Sequence, residues 1–245
     1  MPYSAISPVV GNPQVAMFGL PDTTSRAMPG LTALFADPYW GGAEMLYVKA
    51  NGTIRMGGLV VVTPAVVGGI YAYLATECPN TTILGRAVYV AMVPFTTGQF
   101  GWVCAAGLVP VNCTASVAAD TTFSIAAAGQ GGAAAISKQI VNARIVVAAT
   151  ATVAKAGATA NSGSTRLNIS GADGWFIGAY LSGTGIAALT VVSDIDPSGT
   201  QVTLSVATTA AVNGTVTATY NNATIFYNVA HINRPFAQGA IPNTD

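Results

Sequence analysis

Met45-Leu46-Tyr47-Val48-Lys49-Ala50-Asn51-Gly52-Thr53-Ile54-Arg55-Met56-Gly57-Gly58-Leu59-Val60-Val61-Val62-Thr63 carries two short runs of strand-forming residues, Met45–Val48 and Gly58–Thr63, on either side of Asn51-Gly52. Asn-Gly between such runs is the strongest short-range hairpin signal, because both residues tolerate the positive φ of a tight primed turn. The same rhythm continues outward, with candidate strands at Gly69–Leu74, Ala87–Val93, Phe100–Cys104, Val109–Cys113, Thr122–Ile125 and Asn142–Ala149. Gly107, before Leu108-Val109-Pro110-Val111, reads as a tight bend in a small barrel. Gly129–Ala135 reads as an Ala/Gly loop, and Ala133–Val141 as one short helix.

Residues 150–160 are small and weakly patterned, as a linker is. A second unit follows, with strands at Thr165–Ile169, Gly174–Leu181, Leu189–Ile195, Gln201–Val206 and Thr215–Tyr220. Thr224–Val229 is expected to return beside Arg144–Ala149, which makes the second unit an insertion with neighbouring ends; tandem domains are the alternative. Residues 1–45 hold prolines at 2, 8, 13, 21, 29 and 38 and no sustained apolar period, so they read as an extended arm. Its apolar anchors gain free energy only against another surface, in the same domain, a symmetry mate or a partner shell. The expected organisation is all-β: an extended N-terminal arm (1–45), a small β-barrel/sandwich domain (46–150 plus 221–236), a second small β-sandwich domain (157–220) and a C-terminal tail (237–245).

Charged residues make up 7% of the chain, against roughly 25% in an average soluble domain. Hydrophobic residues reach 51% with only 8% aromatic, so the apolar content is mostly Ala and Val. A surface so poor in ions is weakly defended against association, and copies of itself or a shell are expected to cover it. The nine basic residues are scattered singly, which argues against nucleic acid and anionic membrane as partners. The uncharged stretch between Arg55 and Glu77 is long enough to span a bilayer. Thr63-Pro64 and Gly68-Gly69 interrupt it, and its valines favour two strands around a turn. Met1–Ile6 lack the marks of a signal peptide, so synthesis in a cytoplasm is expected. Cys78, Cys104 and Cys113 read as buried free thiols.

Candidates for chemistry are few. His231 is the only histidine, with no metal ligand beside it in sequence and no G-x-S-x-G elbow elsewhere. Asp194 and Asp196 would share a strand face, but Asp196-Pro197-Ser198-Gly199 is a turn sequence in which Asp caps backbone donors. No catalytic residue, cofactor or metal is expected, and the chain reads as not an enzyme.

Leu84-Gly85-Arg86-Ala87-Val88-Tyr89-Val90, Gly98-Gln99-Phe100-Gly101-Trp102-Val103 and Gly107-Leu108-Val109-Pro110 resemble the small β-barrel domain of tailed-phage head decoration and head-fibre proteins, over residues 46–149. Thr165–Ile169, Ile177–Ile186 and Gln201–Ser205 look like a β module that recurs in phage structural proteins. The proline-rich arm falls outside both likenesses. The resemblance implies a virion protein on the capsid surface: a decoration, or cement, protein that bridges major capsid subunits, most simply as a homotrimer. Its expected contacts are Phe18, Leu20, Phe35, Tyr39, Trp40, Arg234 and Phe236, with Arg234 pairing locally. The alternative is a tail, baseplate or receptor-binding fibre module with a host-surface ligand, which exposure of Trp175, Phe176 and Tyr180 would favour.

Overall fold

The computed structural model describes residues 4–5, 21–37, 40–67, 70–81, 85–135, 138–196, 198–222 and 224–238. Every regular element among them is a β-strand. In chain order they begin with β1 (Ser4–Ala5), β2 (Thr32–Asp37), β3 (Gly41–Ala50), β4 (Leu59–Val67), β5 (Ile70–Glu77) and β6 (Val88–Ala91). They continue with β7 (Phe100–Cys113), β8 (Phe123–Ala127), β9 (Gln130–Ala133), β10 (Ile140–Val147), β11 (Thr152–Ala160) and β12 (Arg166–Asn168). The last are β13 (Tyr180–Ser182), β14 (Val192–Ile195), β15 (Gln201–Leu204), β16 (Val212–Thr219) and β17 (Phe226–Ala237). No helix among them is long and apolar enough to cross a membrane.

Five strands close into a ring. β3 runs parallel to β5, β5 pairs with β4, β4 with β6, β6 with β7, and β7 returns to β3. Side chains alternate across a strand, so Leu46, Val48 and Ala50 of β3 meet Val60, Ala75, Ala91 and Val103 inside this barrel, with Ile54 and Phe95 filling it. Gly101 makes room for Phe95, since a Cβ there would stand 2.6 Å from the Phe95 ring. The uncharged 55–77 stretch is the β4–β5 hairpin, in register from Val60↔Glu77 to Val67↔Ile70.

The far half of β7 belongs to a second circuit. It pairs with β17, β17 pairs with β10, and β8 with β9, which rejoins β7 through Cys113↔Gly131. A Ser124↔Gln139 bridge and backbone bonds between Ile145 and residues 120–121 link β10 to β8. Val109, Val111, Phe123, Ile125, Ile140, Ile145 and Ile232 are buried in the larger core cluster.

β11–β16 form a separate six-stranded sheet in the order β13-β16-β11-β12-β15-β14. Its ends meet through Tyr180↔Val191 and the bond from Leu181 N–H to the Thr190 carbonyl. Trp175, Phe176, Leu167, Val202 and Val216 are buried in it. The whole sheet lies in sequence between β10 and β17, which are hydrogen-bonded neighbours in the first sheet. Asn228 ties this crossing: its Oδ1 accepts from Val117 N–H and Ala149 N–H, both at 2.9 Å, and its Nδ2 donates to the Ala115 carbonyl.

Several local expectations give way to tertiary packing. Asn51-Gly52 closes no hairpin, because β3 takes β5 as its parallel neighbour while β4 pairs with β5 and β6. The chain instead crosses the barrel end, bridging Ile54 to Phe95 and pressing Gly57 against the backbone of Pro110 and Asn112. Gly107 does not turn the chain. At φ +136°, with room for Ala43 only because it lacks a Cβ, it lets β7 pass unbroken from one circuit to the next. Residues 130–133 are β9 rather than loop, and Ala133–Val141 contains no helix among its described residues but the start of β10. Pairing overrides the helix propensity of the alanines there. The supposed linker is β11, whose small residues pack closely against β16 and whose bulge between Lys155 and Ala158 hides its alternation. Finally, residues 32–37 of the presumed arm are β2, paired with β3 from Thr32↔Leu46 to Asp37↔Gly41.

Candidate functional site

Near Ala106 three strands converge: β3 through Glu44↔Ala106 on one edge of β7 and β17 through Asn233↔Ala106 on the other. An open groove of about 330 Å³ lies here, lined by Leu34, Gly42, Glu44, Gly107, His231 and Asn233 among others. A second hollow of about 250 Å³ runs along Thr32, Glu44, Tyr89, Ala87, Arg234 and Pro235. Glu44 borders both. Its Oε2 accepts from Arg234 Nε at 3.0 Å and Nη2 at 2.9 Å. Arg234 holds φ +47° ahead of Pro235, a backbone region sparsely populated by residues other than glycine. Leu34 is 50% exposed at the rim.

The expected contact residues divide. Phe35 lies in the groove wall but is only 3% exposed, with its ring edge-on to Trp102 at 5.1 Å. Arg234 pairs with Glu44 of β3, distant in sequence, while its side chain stays 73% exposed. Phe236 is half-buried, opposite Val141 in β10 and bridged to Ala87. Trp40 points elsewhere: 8% exposed, it packs edge-on against Phe176 of the second unit at 6.1 Å. Phe176 also meets Tyr227 of β17, so Phe35 and Trp40 are anchors of their own chain and offer little surface to another. Phe18, Leu20 and Tyr39 lie outside the described residues.

Charge is spent inside the chain. Among the described residues, Arg26–Asp22, Arg55–Glu77, Arg144–Asp120, Lys155–Asp173 and Arg234–Glu44 form ion pairs. That accounts for five of the nine cations and five of the nine anions. Lys49 lies over the Phe100 ring, Lys138 donates to Asn80, and Arg86 donates to Thr63. The Lys155 hydrogen bond holds the Asp173 carboxyl below its ordinary value. For Asp196 burial pulls upward, but hydrogen bonds from Ser198 and Gln201 outweigh it and hold the carboxyl low. This is the turn cap that its sequence suggests; Asp194 separately accepts from Ile195 N–H.

Burial pushes the Cys78 and Cys113 thiols up to about 12 and raises Cys104 as well, leaving them protonated and poorly nucleophilic at neutral pH. No group of three or more His, Cys, Asp or Glu among the described residues could hold a metal ion. His231 is exposed at the groove. Trp175 and Phe176 are fully buried, and the Trp175 indole donates to the Val153 carbonyl.

What these features define is an all-β chain with two packed β units, an exterior poor in ions and an open groove where its longest strands meet. No family model, no curated protein and no solved structure matches the chain.

Proposed function

We propose that this protein is a structural component of a bacteriophage particle, a decoration protein that binds the head and stabilises it by bridging major capsid subunits as a homotrimer. The observation that carries the reading is the scarcity of charge, 7% of the chain, with five ion pairs formed within it, which leaves an exterior poor in unpaired ions. Such a surface is suited to burial against other protein, where unpaired charges would be costly to desolvate. The groove beside Leu34, with the adjoining hollow where exposed Arg234 pairs with Glu44, is the surface assigned to the capsid or a neighbouring copy. Residues 1–20 supply further contacts. Trp175 and Phe176 are buried and Tyr180 is half-buried, which weighs against the fibre-module alternative that exposure of these rings would favour.

The test is location and stoichiometry. Antibody labelling of purified particles should mark heads, and mass spectrometry should find the chain in a fixed ratio to the major capsid protein. Labelling confined to tail tips replaces this reading with the fibre module; absence from particles ends both. A variant lacking residues 1–20 keeps β2, whose Ala33 and Phe35 are buried, and should fold while losing affinity for heads. Truncation to residue 35 would instead remove most of β2 and its pairing with β3.

A further inference from the structure

The chain contains two Asn-Gly pairs, Asn51-Gly52 and Asn213-Gly214. In this dipeptide the glycine nitrogen can reach the asparagine side-chain carbonyl carbon, because no Cβ on the following residue obstructs the approach. Whether it does so depends on the freedom of the bond between the asparagine Cα and its carbonyl carbon.

The two sites differ in that freedom. Asn51 is exposed and lies just past the end of β3, in a segment that belongs to no strand. Gly52 sits at φ +149° with open space where a Cβ would stand, and its N–H finds no acceptor among the described residues. Ala50 is tied to Gln99 and Gly98, Asn51 N–H to the Ala75 carbonyl at 2.8 Å and Ile54 to Phe95, but among the described residues no backbone bond holds the peptide between Asn51 and Gly52, on the far side of the bond that must rotate. Asn213, by contrast, lies within β16, where Thr159↔Asn213 and Ala158↔Gly214 hold both residues in register with β11. Ring closure there first requires the strand to open.

We infer that Asn51 is a self-modifying site that deamidates spontaneously in the folded protein, and that Asn213 is protected by its strand. The Gly52 nitrogen loses its proton and bonds to Asn51 Cγ. The bond from Cγ to the side-chain nitrogen breaks and ammonia leaves, giving a cyclic imide. Water then opens the imide at either carbonyl to yield aspartate or isoaspartate. One water is consumed and one ammonia released, with no oxidation. The product adds a negative charge to a chain of net charge zero, two residues from Lys49. The isoaspartyl form also adds a backbone carbon immediately past the Ala50↔Ala75 pair. None of this depends on what the protein assembles with.

The experiment is incubation of the purified full chain at mildly alkaline pH, followed by peptide mapping and enzymatic methylation of isoaspartate. Conversion at Asn51 is expected to be at least roughly ten-fold faster than at Asn213, whose strand must open first. Asn51→Gln should abolish the acidic species seen on isoelectric focusing. In urea-unfolded chain the two sites should convert at similar rates, which shows that the fold makes the difference. Equal rates in the folded protein, faster conversion at Asn213, or an unchanged Asn51 would overturn the inference.

Discussion

Asn228 shows how one residue can govern a chain crossing. Fully buried, it accepts from Val117 and Ala149 and donates to Ala115. Ala149 lies on the segment leaving for the second unit, and Asn228 itself lies on the strand that returns. Asn228→Ala strands two buried N–H groups, each costing about 1–3 kcal/mol when unsatisfied, whereas the carbonyl of exposed Ala115 can turn to water. We expect a loss of about 2–4 kcal/mol in urea denaturation, with m unchanged; a loss below half a kcal/mol would assign the crossing to packing alone. Nothing in the sequence marks this Asn, because a polar residue in a strand pattern reads as solvent-facing until its fold partners are known. Titrating groups tell a parallel story. Burial lifts Cys78, Cys113, Tyr220 and Tyr227 to about 12. Unfolded thiols ionise near ~8.5 and phenols near ~10, so the unfolded chain releases these protons first. Stability should therefore be complete below about pH 8 and fall as pH rises towards the folded values. Denaturation midpoints taken under reducing conditions from neutral to strongly alkaline pH check this; a flat profile above about pH 10 would contradict the burial of the groups.

At the scale of the element, β7 is the axis of the molecule. Its first half closes one circuit with β3 and β6 and its second half pairs with β17. Gly107 stands at the change of partners, with φ +136° and a would-be Cβ 3.0 Å from that of Ala43. Gly107→Ala should cost about 1–3 kcal/mol from backbone strain and crowding. It should also speed amide exchange at residues 106–108, while Gly214→Ala, in open space, should do neither. The strand-rich character of residues 46–149 is legible because Val, Ile and Tyr runs punctuated by Gly are governed by local preference. Which strands neighbour one another is not, as Asn51-Gly52 shows: a strong local turn signal yields when β5 offers β3 a better-packed partner. β11 escapes notice for the opposite reason. Its Ala and Thr residues carry little hydrophobic signal, and its one buried charge, Lys155, is intelligible only with Asp173 beside it. The groove is half legible. Phe35, and Arg234 of the adjoining hollow, are singled out by residue type, whereas Glu44, Leu34 and His231 join Phe35 only through strand register.

On the scale of the whole molecule, the low ion content has a consequence for association that can be separated from ordinary electrostatics. The chain carries few ions, five cations and five anions of which pair with one another, and Arg55–Glu77 does so through two side-chain contacts and the Arg55 N–H. Added salt therefore has few intermolecular charge contacts to screen. Contacts proposed through Leu34 and the backbone-lined groove walls would be apolar or hydrogen-bonded, and salt leaves such contacts intact or strengthens them. Self-association measured by sedimentation velocity should thus be unchanged, or increased, between about 0.05 and 1 M salt, over which the screening length falls several-fold. Leu34→Asp places a charge at the groove rim opposite Glu44 of β3 without disturbing the buried face of β2, and should shift the population to monomer with only a small loss in thermal midpoint. Dissociation by salt would mean that ion pairs between copies hold the assembly. A monomer in both conditions would remove self-association from the proposal and leave the shell as sole occupant of the groove.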